Sequence, residues 1–313
     1  MAKNTMLDEH YSKMSLMQRI AYHKYIYLIL LPALVYYIVF KYVPIYGLTL
    51  AFKTYKASKG IWGSPWIGLE NFHNLTINVG FLTAFKNTII ISFLKIIFGF
   101  PMPIILTLLI NEMRIKKYKN VLQTIYTFPH FLSWVVVAGM CFNLFAGDGI
   151  INKFFAVVGI PQQNLLTDHK GFLGLLVGSA MWKETGWSTI LYLAAITSID
   201  TSIYEAARID GANRFQQMIY VTIPGIAAMM ATNLVLSCGH VMDAGFDQVF
   251  NMYNAAVFDV ADIIDSYVYR ITFQQTPDFG FSTAVGMFKG VVNLILILTV
   301  NKVVKSFGQK GIV

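Results

Sequence analysis

The residues that could do chemistry in this sequence lie mostly inside long apolar stretches. A polar side chain costs free energy there unless it faces a cavity or another polar group, so each one is a candidate for function. Aromatic rings beside amide and hydroxyl groups suit a sugar, because its C–H faces stack on rings while its hydroxyls form hydrogen bonds. The candidate contacts with a substrate are Trp182, Glu184, Trp187, Tyr192, Asn233, Ser237, His240, Lys289 and Asn293.

Simpler roles remain open for several of these candidates. Trp182 and Trp187 can anchor a helix at a membrane interface, and Ser237 can bond a neighbouring helix. A lone histidine such as His240 is more often a hydrogen-bonded polar residue than a ligand. Lys289 and Asn293 are spaced i and i+4, which puts them on one helical face and makes that face the first expected wall of a cavity.

Catalytic motifs are missing from the sequence. No Gly-Lys pair occurs, which excludes the phosphate-binding loop GxxxxGK[ST], and neither HExxH nor GxSxG is present. Cys141 and Cys238 both fall within apolar stretches, where they behave as small apolar residues. We therefore expect no catalytic residue, no disulfide framework, and no metal or cofactor bound by this chain.

Two alternative functions stay open at this point. His240, Asp243 and Asp247 could supply the acid and base of a membrane-embedded enzyme. Glu184 or Lys289 could instead couple an ion gradient to transport in a secondary carrier. Such a carrier would need no ATPase and would work as a single chain.

The elements that must position these residues are membrane-spanning helices. The sequence is 56% apolar and 13% charged, with a mean hydropathy of +0.57, whereas soluble domains are about half apolar and a quarter charged. Helices satisfy their own backbone groups in lipid, and about 20 residues suffice to cross it. We predict an all-α polytopic fold with six spans, at about 25–43, 88–110, 121–145, 172–196, 225–246 and 281–304.

Lysine and arginine are concentrated on the side of this arrangement that holds both termini. That side includes residues 1–24 and 307–313, and it has more basic than acidic residues. Its basic residues are Lys3, Lys13, Arg19, Lys24, Arg114, Lys116, Lys117, Lys119, Arg208, Arg214, Lys302, Lys305 and Lys310. By the positive-inside rule both termini are cytoplasmic. The net charge of +8 then indicates topology and contact with anionic lipid, not nucleic-acid binding. The first span lacks a cleavage site and is expected to be retained.

The cytoplasmic segment 200–224 has the local signals of two short helices. Ser202 and Glu205 have the spacing of a capping box, which predicts a helix start. Gly211 suits the left-handed position that ends a helix, and Asn213 can cap a second helix. Pro224 can open the next span, because its missing N–H costs little there. We predict a helix, a turn and a second helix on the cytoplasmic face.

This segment resembles the EAA loop of ABC importer permeases. Glu205-Ala206-Ala207 is followed, at the family's spacing, by Asp210-Gly211-Ala212 and by Val221-Thr222-Ile223-Pro224. The family favours Ile and Leu where this chain has Val221 and Ile223. The resemblance implies a coupling helix held in a cleft of an ATPase subunit, with Glu205 as the charged contact and Gly211 as the turn. The coupling residues it implies are Glu205, Ala206, Ala207, Asp210, Gly211, Ala212 and Pro224.

The resemblance covers about residues 25–306, which it implies form one permease domain with the type I importer fold. The runs FGFPMPIILTLLINE and KYKNVLQTIYTFPHFLSWVVVAG look like the carbohydrate-uptake branch, near members for oligosaccharides from acidic polysaccharides such as alginate or rhamnogalacturonan. A bacterial cell membrane is implied, with ATP and Mg used by separate subunits. The implied partners are a second permease, two ATPase subunits, an extracytoplasmic solute-binding protein, membrane lipid and an oligosaccharide.

Overall fold

The computed structural model describes residues 15–161, 163–306 and 308. Within these ranges the regular structure is helical, and extended pairing is limited to an isolated bridge between Lys53 and Trp66. The all-α prediction is thus confirmed for the described part of the chain. The predicted terminal segments lie largely outside it, since residues 1–14, 307 and 309–313 are not described.

The N-terminal helical stretch packs little against the rest of the chain. It contains α1 (Leu16–Tyr22) and α2 (Lys24–Tyr37), and it continues through a π-helical turn, Ile38–Tyr42, into a 3-10 segment, Val43–Phe52. None of the side chains from 24 to 45 is buried. Contact with the rest of the fold begins where the 3-10 segment meets the last helix. The helical stretch therefore runs about nine residues beyond the predicted end at 43.

Two short helices, α3 (Gly60–Gly63) and α4 (Glu70–Ile77), precede the second long stretch. That stretch consists of α5 (Val79–Gly99) and α6 (Pro101–Asn111), and it starts earlier than the predicted span because the Asn78 side chain accepts a hydrogen bond from the Phe81 N–H. A capping side chain of this kind satisfies one of the unpaired N–H groups at a helix start.

The third predicted span is broken in the structure. It contains α7 (Lys116–Thr127), a 3-10 turn (Phe128–Phe131) and α8 (Trp134–Phe145). Pro129 lies in the turn, where its missing N–H and its ring prevent an α-helix from continuing. The next helix, α9 (Ile150–Val158), ends at Gly159 in the left-handed conformation.

The longest helix, α10 (His169–Thr197), forms the centre of the bundle. It packs against α5, α6 and α7, and its buried side chains include Phe172, Leu176 and Tyr192. At 1.5 Å per residue its length is about 43 Å, which is enough to cross a membrane. Its polar residues make it less apolar than the other long stretches, and these residues face neighbouring helices.

The C-terminal half alternates long and short helices. The cytoplasmic segment contains α11 (Thr201–Ile209), α12 (Arg214–Gln217), a π-helical turn (Met218–Thr222) and α13 (Ile223–Gly225). A bend of 57° separates the helical stretch 214–225 from α14 (Ala227–Gly239). After a 3-10 turn, Val241–Asp243, the remaining elements are α15 (Phe246–Met252), α16 (Phe258–Ala261), α17 (Ile264–Tyr269), a π-helical turn (Arg270–Gln274) and α18 (Phe279–Ser306).

Four helical stretches in the described ranges are long and apolar enough to cross a membrane. They are Lys24–Phe52, Val79–Asn111, Trp134–Val158 and Phe279–Ser306, and the bent pair Arg214–Gly225 and Ala227–Gly239 would make a fifth. The fifth predicted span therefore ends at Gly239 and not at 246. Its end is displaced because Ala244 and Gly245 adopt positive φ angles of 46° and 83°, which no helix accommodates.

Candidate functional site

An open cavity of about 710 Å³ lies among α5, α6, α10 and α14. Its position beside the central helix is set by the packing of α10 against α5 and α6 on one side and α14 on the other. The structure brings five of the predicted substrate contacts together on its wall, namely Glu184, Tyr192, Asn233, Ser237 and His240. Lys95, Thr185, Ser188 and a set of mostly apolar residues complete the lining.

The other predicted contacts lie away from this cavity. Trp182 lines a separate apolar groove between α8 and α10, and the Trp187 ring stacks on the His130 ring at a centroid distance of 4.5 Å. The Asn293 Oδ1 accepts a hydrogen bond from the Met242 N–H at 3.2 Å. Lys289 pairs with carboxylates, as described below. The shared face of Lys289 and Asn293 therefore supports the turn after α14 and does not line this cavity.

Glu184 contacts a histidine and a lysine that come from two elements. Its carboxylate lies 2.8 Å from His130 Nδ1 and 3.4 Å from Lys183 Nζ. Lys183 also donates to the His130 carbonyl oxygen at 2.6 Å. Because His130 belongs to the 3-10 turn in the broken third span, this polar cluster ties that break to α10. Lys183 and Glu184 are neighbours in the sequence and start from different faces of α10, yet their flexible side chains meet.

The turn from His240 to Gly245 is non-helical backbone held by side chains from two distant helices. From α5, Ser92 donates to the Val241 carbonyl oxygen and Lys95 donates to that of Ala244 at 2.7 Å. From α18, Lys289 contacts both Asp265 and Asp243, the latter at 3.2 Å. Irregular backbone inside a membrane protein requires such partners, since lipid offers none.

The cytoplasmic segment has the predicted helix–turn–helix form, with one correction at its start. Asp200, not Ser202, caps α11, because its carboxylate accepts from the Ser202 N–H at 2.9 Å. The predicted capping box between Ser202 and Glu205 is wrong, since both residues lie inside the helix. The Ser202 N–H also lowers the pKa of Asp200, which favours its ionised form.

The turn between α11 and the next helix matches the sequence prediction. Gly211 has a φ of 82°, in the left-handed region, and a Cβ there would meet no atom within 4 Å. Asn213 caps the second helix, and it forms a capping box with Gln216. Glu205 and Ala206 are exposed, whereas Ala207 and Ala212 are partly covered. We call residues 200–224 the cytoplasmic hairpin, after the side of the membrane that the distribution of lysine and arginine predicts for them.

Two side-chain contacts that the sequence did not indicate stabilise the cytoplasmic hairpin, one within it and one between it and α6. Tyr204 Oη lies 2.9 Å from Oγ1 of the buried Thr222, which joins α11 to the π-helical turn. Arg214 Nη1 lies 3.0 Å from Glu112 Oε2, at the end of α6. Both pairs are separated too far in sequence for a spacing rule to find them.

The outer face of the cytoplasmic hairpin presents large apolar side chains to solvent. Ile209 is 87% exposed and Tyr220 is 75% exposed, and Ile203 and Phe215 are also exposed. Clustered apolar side chains that remain exposed on a folded element are typical of a contact surface for another protein. The hairpin is thus a capped element, joined to α6 by a side-chain contact, that presents apolar side chains to its surroundings.

Comparison with known proteins agrees with this arrangement. A family model described as "binding-protein-dependent transport system inner membrane component" matches residues 99–307. The chain is 42% identical over 298 residues to the polygalacturonan/rhamnogalacturonan transport system permease protein YteP of Bacillus subtilis, covering 95% of this chain and 92% of the relative. It is 42% identical over 290 residues to the protein LplB of the same organism, covering 92% and 91%.

Solved structures are similar over nearly the whole chain. A chain in the crystal structure of a bacterial ABC transporter involved in the import of the acidic polysaccharide alginate gives a TM-score of 0.85 at 36% identity, covering 93% of this chain and 98% of that chain. A chain of bacterial alginate ABC transporter in complex with alginate pentasaccharide-bound periplasmic protein gives a TM-score of 0.86 at 35% identity, covering 95% and 99%.

Proposed function

The chain belongs to the family of binding-protein-dependent transport system inner membrane components, and we propose that it forms part of the membrane path of an oligosaccharide importer. It is a non-catalytic permease subunit of an ABC importer. In this proposal α10 completes a set of six spans, both termini are cytoplasmic, and the membrane is that of a bacterial cell. The ion-coupled carrier and the membrane-embedded enzyme are not favoured.

The observation that carries the proposal is the cytoplasmic hairpin. Its exposed apolar face would sit in a cleft of an ATPase subunit, with Glu205 as the charged contact and with Asp210, Gly211 and Ala212 forming the turn. Small side chains at Ala206 and Ala207 would let α11 approach the partner closely. Pro224, at the bend between the hairpin and α14, would mark where motion of the hairpin enters the bundle.

The proposed mechanism is alternating access driven by the partner ATPases. The bond from Tyr204 to Thr222 holds the hairpin together, the bond from Arg214 to Glu112 joins it to the end of α6, and the chain continues from it into α14, so the hairpin would move together with both helices. Closure of the ATPase pair would then tilt these helices, which line the cavity, and change the side from which it is open. ATP and Mg would be bound by the ATPase subunits, since this sequence has no phosphate-binding loop.

An oligosaccharide is proposed as the substrate from two independent observations. The two relatives above include a permease named for polygalacturonan and rhamnogalacturonan, and the similar solved structures come from a transporter for alginate. The cavity itself combines a tyrosine with amide and hydroxyl groups, from Tyr192, Asn233 and Ser237. Glu184 and His240 would add charged or polar contacts, while Trp182, Trp187, Lys289 and Asn293 would act outside this wall.

The proposed assembly has a second permease, two ATPase subunits and an extracytoplasmic solute-binding protein. The binding protein would deliver the sugar to outer segments of this chain, including residues 41–78 with their exposed Trp62 and Trp66. Membrane lipid would surround the apolar spans, whose exposed side chains are most numerous in α2. Nucleic acid has no place in the proposal.

The proposal is tested by substitutions in the hairpin, each paired with a control substitution of the same type outside the hairpin. Gly211→Ala and Gly159→Ala both force alanine into a left-handed conformation, with φ angles of 82° and 79° and no atom within 4 Å. The local backbone cost, about 1–2 kcal/mol, should be similar in the two variants. Glu205→Ala and Glu70→Ala form a second pair, since both glutamates are exposed.

We expect Gly211→Ala and Glu205→Ala to assemble in the membrane but to lose ATPase binding and sugar uptake, measured by co-purification and by transport of radiolabelled oligosaccharide. Gly159→Ala and Glu70→Ala, on the other face, should keep ATPase binding. Normal uptake and normal ATPase binding in both hairpin variants would refute the assignment of this segment as the ATPase contact.

A further inference from the structure

Charged groups at the cavity wall can be matched with their partners one by one. Glu184 faces Lys183 and His130, as described above. His240 Nδ1 lies 3.0 Å from Asp243 Oδ2, and Asp243 is also within 3.2 Å of Lys289 Nζ. Glu184 at the wall and Asp243 behind it therefore each have a lysine and a histidine neighbour in this chain, and Glu184 acts on Lys95 only at a longer range.

Lys95 differs from the other cations in this region. Its ammonium donates to the Ala244 carbonyl oxygen at 2.7 Å and to Gln248 Oε1 at 2.5 Å, and both acceptors are neutral. Among the residues that the structure describes, no carboxylate lies within 4.0 Å of its nitrogen. An ammonium has three N–H donors, so one remains after these two bonds. Lys95 is part of the lining of the cavity.

The position of the Lys95 ammonium is fixed by its neighbours. Gln248 is fully buried, and its Nε2 donates to the Leu176 carbonyl oxygen and to Ser179 Oγ, which leaves Oε1 facing Lys95. The ammonium would lie 2.8 Å from a Cβ added at Gly245, so it is packed directly against that glycine. A cation held in place in this way at an apolar wall is pre-organised for a ligand.

We propose that Lys95 binds a carboxylate of the transported sugar and thereby selects oligosaccharides that contain uronic acid. The inference rests on the proposed function, because it assumes that the sugar passes this cavity. A carboxylate would occupy the remaining donor of Lys95 and give it a direct anionic partner, since Glu184 on the same wall makes its short contacts with His130 and Lys183. Attraction between opposite charges is stronger near low-dielectric protein than in water, and cationic side chains line anion-selective pores for the same reason.

A purely structural role for Lys95 predicts a different result. If Lys95 only supports the turn at Ala244 and Gly245, its loss weakens transport of acidic and neutral sugars alike. If it also recognises a carboxylate, its loss weakens transport of the acidic sugar more than transport of the neutral one. Comparing one sugar backbone in charged and neutral form therefore separates the two roles.

The test uses the complete transporter in proteoliposomes, with ATP inside and the solute-binding protein outside. The probes are trigalacturonate and its fully methyl-esterified form, which has the same backbone without the charges. Lys95→Met removes the cation and keeps much of the side-chain length, and Lys95→Arg retains the charge. Lys86→Met is the matched control, because Lys86 is an exposed lysine on the same helix and does not line the cavity. The uptake rate of each variant is divided by the uptake rate of the wild type for the same sugar. The selectivity of the solute-binding protein is the same in both rates and cancels in this ratio.

We expect Lys95→Met to lower uptake of trigalacturonate about tenfold more than uptake of the ester, the scale of one charged hydrogen bond, because any loss of support for the turn weakens uptake of both sugars equally. Lys95→Arg and Lys86→Met should stay near the wild type for both sugars. An equal loss for the acid and the ester, or no loss for either, would overturn the role of Lys95. If Lys95→Met does not assemble, Lys95→Gln takes its place. It is judged by the same comparison, the loss of trigalacturonate uptake relative to the loss of ester uptake.

The outcome also separates this inference from the proposed function. A wild-type transporter that imports the ester as well as the acid, with no change of their ratio in Lys95→Met, contradicts the inference and leaves oligosaccharide import intact. If the wild-type transporter imports neither sugar, the inference that it selects uronic acids is contradicted, and the proposal that it imports this class of oligosaccharide is contradicted as well.

Discussion

Substitution of Gly186 by alanine should separate two helices of the bundle. Gly186 lies in α10 where it crosses the end of α7, and an added Cβ would lie 1.9 Å from the Tyr126 carbonyl oxygen and 2.5 Å from its carbon. Ordinary contact begins at 3.4 Å, so the two backbones would have to move apart by about 1.5 Å. Neither side of the contact is a flexible side-chain end, and both belong to long helices.

The expected cost is large for a single methyl group. Overpacking of a core costs about 1–3 kcal/mol and occasionally more, and a backbone-to-backbone collision belongs at the upper end, near 3 kcal/mol. The shift would also move the 3-10 turn that carries His130 and its contacts with Glu184 and Lys183. We therefore expect Gly186→Ala to lower both the thermal stability of the assembled transporter and its uptake activity.

Gly178→Ala is the matched control, because Gly178 is in the same helix and a Cβ there would meet nothing within 4 Å. Alanine is favoured over glycine inside a helix by about 1 kcal/mol, so this variant should be as stable as the wild type or slightly more stable. The measurement is the apparent Tm of the purified transporter in detergent, with the yield of assembled complex beside it. Equal Tm values for Gly186→Ala and the wild type would refute the close packing of α7 and α10.

Two further substitutions test contacts that join distant parts of the chain. Tyr204→Phe removes the bond to Thr222, a contribution of about 0.5–1.5 kcal/mol, and should lower the sugar imported per ATP hydrolysed while ATPase binding is kept; an unchanged ratio would contradict the role of this bond in coupling. Lys289→Met leaves Asp243 and Asp265 without their shared cation. Because both carboxylates are partly exposed, we expect the free energy of unfolding to fall by at most about 3 kcal/mol, and the Tm to fall with it. The double variant Lys289→Met with Asp265→Asn should recover part of that loss, and a double variant less stable than Lys289→Met alone would contradict the ion-pair explanation.

Local signals in the sequence were sufficient for the parts of the fold that depend on local physics. The turn at Gly211 and the cap at Asn213 follow from residue types whose conformational preferences act within a few residues. The helix start was placed two residues late, because both Asp200 and Ser202 are good caps and only the backbone of the folded chain shows which one is used.

Long-range contacts explain where the sequence prediction differed from the structure. The fifth span was extended to 246 because residues 240–245 are largely apolar, but Ser92 and Lys95, more than 140 positions earlier, stabilise them as a turn. The i and i+4 spacing of Lys289 and Asn293 correctly put both on one face. It could not show that the face meets Asp265 and the Met242 N–H, which depend on how three helices pack.

The candidate cavity was predictable only as a set of polar residues in apolar stretches. Glu184, Tyr192 and His240 were found in this way, and the structure places them on one wall. Lys95 was not among the predicted contacts, and that no carboxylate of the described residues lies within 4.0 Å of it could be found only from the positions of the charges nearby. Which charges lie next to each other at this cavity depends on how the helices pack, so the sequence alone does not show it.

The central claim, that this permease works through an ATPase bound to its cytoplasmic hairpin, is tested most directly by uptake into proteoliposomes of defined composition. With the ATPase subunits, the second permease and the solute-binding protein present, we predict oligosaccharide uptake that requires ATP and disappears when the ATPase is omitted or when Glu205→Ala and Gly211→Ala are combined. Uptake by this chain alone, driven by an ion gradient and without any ATPase, would contradict the claim.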